Sequence, residues 1–533
     1  MIRAVTRRGG SPLRAILPLL AGCAALLGTA GNAFGGPAAA ASAPATPSPA
    51  AQAPAARAPA ASISLPSASS PAATLAAEAS GALREPQSVL FDPFLSELEE
   101  RTFHYFWDTA NPKNGLIPDR YPTPSFASIA AVGFGLTAYP IGVERHYITR
   151  AEARERVLAT LRFFLHAPNE HGFFYHFLDM KTGARTNESE VSTVDTSLLL
   201  AGMLFCQSYF DTQNPREVQI RKLVDEIYRR VDWTWAQPRP PVVALAWTPE
   251  SGFSGLDWQG YNEAMLVYLL ALGSPTHPIS PQAWTTWTST YDQHWGTIYN
   301  QTYLGFGPLF GHQYTHVWVD FRGIRDAYMR KHGLDYFENS RRATYTQRRY
   351  AIANPKHWEA YGKNIWGISA SDGPGAAEPY EGRETSFLHY AARGVGVGHI
   401  VDDGTIAPTA AISSLPFAPE IVLPATLEMY HRFGSAIYSS YGFLDAFNAS
   451  FHEPSESPAA GQAHAPDSPG DRGGRGYTGW VDPDYIGIDE GPIIAMIENY
   501  RSDLVWRVMR SDPYLRQGLE RAGFSGGWLA PAQ

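Results

Sequence analysis

The chain predicts an all-α fold, an α/α toroid of about six helix pairs with long Gly- and Trp-rich loops and a few short strands. Three observations carry this. Apolar residues recur mainly at helical spacing from 95 to 522. The helical segments are of two kinds, nearly all apolar (SLLLAGMLF, AMLVYLLAL) and amphipathic (REVQIRKLVDEIYRRV), and this mixture suits two concentric helical layers. The connections are long and rich in Gly, Pro and Trp, and long loops in a compact domain usually carry function.

Taken in order, helices are predicted at 95–109, 127–138, 150–165, 192–210, 216–231 and 262–272, then at 315–330, 339–352, 419–433, 490–500 and 513–522. Ser192 reads as an N-cap, with Asp195 three residues later in the place of a capping-box acid. Asn262 reads as another N-cap, which puts Glu263 in a first helical turn. Short strands are expected near 173–177, where YHF follows GFF.

Ahead of the helices lies an export signal, 1–33. Arg3, Arg7, Arg8 and Arg14 precede an apolar run, 15–27, that is too short to span a membrane comfortably. Leu20-Ala21-Gly22-Cys23 resembles a bacterial lipobox, which would leave Cys23 lipid-bearing; cleavage after Ala33 would instead release a soluble protein. Either route predicts a periplasmic protein or an outer-membrane-anchored lipoprotein of a Gram-negative bacterium. Residues 34–88 are dominated by Ala, Pro and Ser and predict a solvated, disordered tether, and 453–476 predicts a similar surface insertion. One catalytic domain, 89–533, and a monomer are the economical expectation. With Cys23 in the signal, only Cys206 remains, so no intrachain disulfide forms, and its apolar surroundings predict a core thiol.

Aromatic content of 13% and charged content of 17% fit a well-packed enzyme with ring-lined clefts. A net charge of −9 without a basic stripe excludes a nucleic-acid binder. There is no Walker loop, dinucleotide fingerprint after a strand or nucleophile elbow, so no cofactor is expected. Neutral, hydroxyl-rich substrates remain.

Glycosidic cleavage needs one carboxylic acid to protonate the leaving oxygen and one carboxylate to activate water or attack. Glu190 and Glu263 are the best pair, each beside the start of a buried helix, with Glu188 a solvated neighbour. A helix N-terminus lowers a carboxylate's pKa, so a proton donor there must be desolvated by nearby rings, a role open to Trp258 and Tyr261 beside Glu263. His312, His316 and Asp320 stand four residues apart and would share a helical face. No HExxH or Cys pair supports a metal there, and none is expected. These three with Arg322 could instead form a polar wall for sugar hydroxyls, Trp318 supplying an apolar face, or a buried network holding helices together. Trp366 and Asp372 (WGISASDGPG), the 402–408 loop, and Asp489 with Glu490 (WVDPDYIGIDEGP) are expected to meet at one rim.

SIAAVGFGLTAYPIGVER, HGFFYHFLDMKTGARTNESEVSTVDTSLLLAGML, GYNEAM, HQYTHVWVDFRGIRD, DYFENSRRAT, SASDGP, DDGTIAPTAAISSLPFAPE and IGIDEGPIIAMIENYR closely resemble the bacterial glucoamylase-like domain family. That group includes glycoside hydrolase family 144 and is similar to the transglycosylation domain of cyclic β-1,2-glucan synthases. The resemblance covers 97–526 in order. It implies an (α/α)6 barrel and endo-acting, inverting hydrolysis of β-1,2-glucan (sophoro-oligosaccharides), with Glu190 and Glu263 lining the cleavage site. It leaves open which glutamate is the acid. An exo-acting or transglycosylating enzyme and a non-catalytic glycan-binding lipoprotein are the alternatives. One departure stands out. After Glu144-Arg145 the chain reads His146-Tyr147-Ile148 where the family is expected to carry Gly-Trp, a change expected to alter one subsite.

Overall fold

Twelve helices alternate between two layers in a computed structural model that describes residues 85–452, 477 and 479–530. The 1–33 signal with Cys23, the tether as far as 84 and the 453–476 insertion lie outside the described residues. Six helix hairpins follow one another, each an outer helix and then an inner one. They are α1 (Glu85–Asp108) with α2 (Ile129–Glu144), α3 (Arg150–His166) with α4 (Thr193–Tyr209), and α5 (Pro215–Arg229) with α6 (Met265–Gly273). The second half repeats this with α7 (Gln282–Trp287) and α8 (Tyr314–Trp318), then, after the short α9 (Ala327–His332), α10 (Tyr336–Ala353) and α11 (Pro408–Ile412), and last α12 (Pro419–Phe433) and α13 (Gly487–Ser502). Two further helices, α14 (Leu504–Met509) and α15 (Pro513–Arg521), close the chain. This is an α/α toroid.

The layers follow from composition. In α2 every residue from Ile129 to Gly142 is buried, and α6 is buried along its whole length. The outer α5 buries Ile220, Leu223, Val224, Ile227 and Tyr228, one stripe at helical spacing. The inner ring closes on itself: α13 packs on α2, α2 on α4, and α4 on α6. Thr315 Oγ1 donates to the Glu263 carbonyl (3.3 Å), joining α6 to α8, and Gln313 Nε2 donates to the Ala410 carbonyl (2.8 Å), joining α8 to α11. At the α2–α4 crossing the backbones nearly touch. A Cβ on Gly202 would sit 2.0 Å from the Gly133 carbonyl oxygen, so only glycine permits this approach.

Short antiparallel strand pairs hold the entries to the inner helices. Ala127–Ser128 pairs with Phe177–Leu178 ahead of α2, and Val191–Ser192 pairs with Ala246–Thr248 ahead of α4. Thr405–Ile406 pairs with Phe447–Asn448 ahead of α11, and Tyr485–Ile486 with Arg120–Tyr121 ahead of α13. These fragments stand on one face of the toroid, at the N-terminal ends of the inner helices.

The expected 315–330 helix is two helices. Val319 is extended, Gly323 takes φ +75°, and Asp326 caps α9 by accepting from the Met329 N–H. A short-period apolar run (Val317, Val319, Phe321) had been read at helical spacing. α6 begins at Met265, so Glu263 lies just before the helix rather than in its first turn; Asn262 Oδ1 instead accepts from the Ala264 N–H (3.0 Å) in a local turn. Cys206 is fully buried and unpaired as expected. The expected effect of His146-Tyr147-Ile148 on a subsite does not fit their position. They follow the C-terminal end of α2, a helix length from the strand-bearing face, lining a surface recess with Arg150 and Tyr209.

Candidate active site

At the strand-bearing face, ionisable side chains form a closed circuit. His176 is fixed by its backbone, its N–H donating to the Glu190 carbonyl (2.8 Å) and its carbonyl accepting from the Ile129 N–H (3.2 Å). Its ring lies between two acids, with Nδ1 2.9 Å from Glu190 Oε1 and Nε2 3.5 Å from Asp195 Oδ1. Ser192 caps α4 as expected, accepting from the Asp195 N–H, and its hydroxyl donates to Asp195 Oδ2 at 2.5 Å. Burial works against a charged His176. The charge of Asp195 and the hydrogen bond and charge of Glu190 overcome it and carry the ring up to about 9.

Glu263 comes next. Burial pushes its carboxyl up to about 7, a backbone hydrogen bond pulls it down, and the charge of Asp195 adds to the rise. Its Oε2 is buried without a hydrogen-bond partner, as is Oε2 of Glu190. Trp258, 6% exposed, donates from Nε1 to Thr193 Oγ1 (2.9 Å) at the start of α4, beside the two acids. Tyr314 opens α8; burial, then Asp489, Tyr390 and Glu263, raise its phenol. It donates to Asp489 Oδ1 at 3.3 Å.

Asp489 belongs to a second acidic group, with Asp445, Asp482 and Asp372. Asp445 Oδ2 accepts from the Asp372 N–H (3.0 Å), and the Asp445 N–H donates to the Asp484 carbonyl (3.0 Å). Burial, and after it the neighbouring negative charges, hold Asp445 and Asp482 far above the usual carboxylate range; burial likewise raises Asp489 and Glu490. Arg120 is the counter-charge, 2.6 Å from Asp372 and within 4 Å of Asp119 and Asp484. Asp119 interacts with both His176 and Asp372 and completes the circuit.

Of the expected site residues, Glu190, Asp195, Trp258, Glu263, Asp372 and Asp489 come together here. Others do not. Tyr261 turns inward, its hydroxyl 3.2 Å from His312 Nδ1 and its ring stacked on Tyr336. His312 and His316 are fully enclosed, bonded to the Phe306 carbonyl and to Ser340, and burial keeps both neutral, His312 down to about 3. Trp318 donates to Thr137 (3.0 Å) and stacks on Phe134, inside the core. Asp320 is gripped by Arg322 (2.8 Å) and Arg510, and Arg322 also reaches Asp503, the C-cap of α13, about 20 Å along that helix from Asp489. The polar wall is therefore a buried network holding helices. Trp366 is fully buried in the second core cluster.

The sequence reasoning missed His176, Tyr314, Asp119, Arg120 and Asp445. His176 and Tyr314 stand inside segments already singled out, but an aromatic-flanked histidine in a bend between two short strands carries no distinguishing pattern. Asp445, alone between Leu444 and Ala446, gave no signal at all. Among the described residues, His176, Glu190 and Asp195 form a trio with ligand atoms within 4.8 Å of one another. Nδ1 is hydrogen-bonded to Glu190 and Nε2 stands 3.5 Å from Asp195, so the trio is an ion-paired set.

Fold and circuit together define an α/α toroid with a cluster of carboxylates at the N-terminal ends of inner helices. A family profile described as "Putative glucoamylase" matches residues 255–513. A Bacteroides uniformis protein of solved structure, described as a putative glucoamylase, is 32% identical with a TM-score of 0.71, over 83% of this chain and 99% of that one. The Chitinophaga pinensis endo-β-1,2-glucanase, solved with sophorotriose and glucose, is 29% identical with a TM-score of 0.70, over 82% and 99%. An exo β-1,2-glucooligosaccharide sophorohydrolase (non-reducing end) of Parabacteroides distasonis is 30% identical over 462 residues, 81% of this chain. The match spans only 58% of that relative's length. The chain belongs to the bacterial glucoamylase-like domain family.

Proposed function

We propose that the protein is a glycoside hydrolase that cleaves β-1,2-glucan and its sophoro-oligosaccharides, endo-acting and inverting. The observation that carries this is Glu263, a buried carboxyl with an unpartnered oxygen, raised to about 7 and facing a circuit of further carboxylates. Near neutral pH such a group holds a proton and delivers it to a leaving oxygen as bond cleavage develops. The linkage is argued from the two relatives named for β-1,2-linked substrates. Endo action is argued from extent: the match spans 99% of the endo-β-1,2-glucanase but 58% of the exo-acting relative.

Glu190 is the proposed base, across Asp195 from Glu263. A second reading assigns the base to Asp489, favoured by Tyr314, whose hydroxyl donates to Asp489 Oδ1 and whose phenol feels the charge of Glu263. Azide separates them, because a small anion restores turnover when the missing group is the base. Export, with or without acylation at Cys23, is proposed from the leader alone, and mass spectrometry of the mature N-terminus tests it.

Linear β-1,2-, β-1,3-, β-1,4- and α-1,4-glucans, with product sizing and NMR of the first anomer released, test the function. Random-length β-1,2 products of inverted anomeric configuration are expected. Disaccharide release from the first minutes replaces endo with exo action, and activity on none of the four overturns the hydrolase reading.

A further inference from the structure

We infer that His176 is a positioning residue of this site: paired with Glu190 through Nδ1 and with Asp195 through Nε2, it holds the two acids at fixed spacing beside Glu263. The geometry leaves the ring little choice. Its backbone is tied on both sides, to the Glu190 carbonyl and the Ile129 N–H, so the loop carrying Glu190 and the start of α2 set its place together. Phe177 stacks on the ring at 3.7 Å between centroids and 20° between planes, which fixes its rotation. Nδ1 is hydrogen-bonded to Glu190, and Nε2 stands at ion-pair distance from Asp195. A neutral imidazole has one N–H and no charge to offer the second acid, whereas the doubly protonated ring is attracted to both.

Other groups around the ring favour the same state. Asp119 is the third charge acting on it, and Arg120 is engaged by Asp372. Ser192 supplies Asp195 with a hydrogen bond of its own, so that acid is held from both ends. Glu190 and Asp195 are both at most 6% exposed and bring oxygens within 4.8 Å of each other, and the ring is the counter-charge between them. The charge of Asp195 in turn adds to the rise of Glu263. His176 thus acts through its two neighbours without touching substrate.

This inference rests on the proposed hydrolysis for its kinetic arm only. In the intact wild-type protein with 13C-labelled histidine, the ring is followed by NMR from pH 5 to 10, with His176→Gln assigning the signal. The ring is expected to keep its proton well above pH 7; titration at or below the ordinary histidine range of about 6.5 overturns the bridge. That arm needs no substrate, so it stands even where no glucan is cleaved. In the kinetic arm, His176→Gln lowers kcat and moves the acid limb of the pH–rate profile upward by about one to three pH units, the usual influence of a close opposite charge on a carboxylate. A fall in kcat with an unmoved limb means a merely structural histidine and overturns the inference. So does a divalent cation recovered in stoichiometric amount and lost in His176→Gln. Should that variant fail to fold, the wild-type titration in Asp195→Asn, assigned by comparison with wild type, gives the second readout: the ring's pKa falls there if the bridge exists and stays put if it does not.

Discussion

Replacing Glu263 by Gln is expected to stop turnover and, above neutral pH, to stabilise the protein. Burial lifts this carboxyl from an ordinary 4.5 to about 7. A shift of about 2.5 pH units is roughly 3 kcal/mol of difference between the two protonation states. The sign follows from the direction of the shift. A group with a raised folded pKa contributes stability that is fully present below its unfolded pKa and is lost as pH rises through the folded value. Wild type therefore loses roughly 3 kcal/mol between about pH 4.5 and about pH 8 on account of Glu263, and the glutamine variant does not. Urea unfolding of both proteins at those two pH values isolates this group, because other titrations cancel in the difference. The variant's advantage should grow by roughly 3 kcal/mol, about 3 °C in Tm for a domain this large, from the lower pH to the higher. Turnover on β-1,2-glucan should meanwhile fall by about 10²–10⁴-fold, the usual scale of a general acid. A stability difference that does not change with pH would show that Glu263 is solvated and ionised, and the assignment of the proton donor would go with it.

Wild-type activity should fall as pH rises through about 7, where Glu263 loses its proton, and a pH–rate profile extending undiminished to pH 9 contradicts that. Glu190→Gly and Asp489→Gly should each abolish turnover, with azide restoring it by at least tenfold in one of the two; rescue in Asp489→Gly alone transfers the base to Asp489. Asp320→Asn should cost about 2 kcal/mol and leave kcat/KM unchanged. That is below the usual loss for a broken buried pair, because Arg322 and Arg510 keep 38% and 31% of their side chains in water. Gly202→Ala should cost about 3 kcal/mol or more, read by urea unfolding, since its new Cβ meets a backbone oxygen at 2.0 Å that no rotamer change can move.

The toroid was legible because its signal is repeated. Largely apolar α2, α4 and α6 alternate with amphipathic outer helices, and a two-layer arrangement is the packing that buries both kinds. The inner helices of the second half were harder, because α8 and α11 have five residues each, too few for any periodicity to register. The acids at Ser192 and Asn262 were legible through helix-start chemistry, although at Asn262 a local turn takes the place of a cap. His312, His316 and Asp320 show the opposite failure. Their four-residue spacing is real, but the chain turns between α8 and α9, so the shared face never forms and each residue serves a different packing contact. Partners such as His176 and Arg120 arrive from segments more than 60 residues away from Glu263, and only the toroid's closure brings them near.

The position of Glu263 also decides between two opposing effects. The acids stand at the N-terminal ends of α4, α6 and α13, and a helix N-terminus stabilises a nearby anion by about 0.3–1 kcal/mol, less than one pH unit. The removal of water around Glu263 outweighs this, lifting the carboxyl to about 7. The geometry explains why burial wins for this acid. Glu263 precedes Met265, the first helical residue, without capping the helix, and its Oε2 finds no donor. Asp195, by contrast, sits within the first turn of α4 and is served by Ser192 and His176. Burial thus governs Glu263, whose Oε2 has no donor, whereas Asp195 has a hydroxyl donor in Ser192 and an ion-pair partner in His176. Giving Glu263 a donor should therefore undo the difference. Thr315 lies close, its hydroxyl already on the Glu263 carbonyl at 3.3 Å. A Thr315→Asn variant that reaches the carboxylate with its amide should lower the alkaline limb of the pH–rate profile by about one pH unit. An unmoved limb in a variant whose crystal structure shows that contact would mean that lost hydration alone, and not the missing donor, sets the acid's strength.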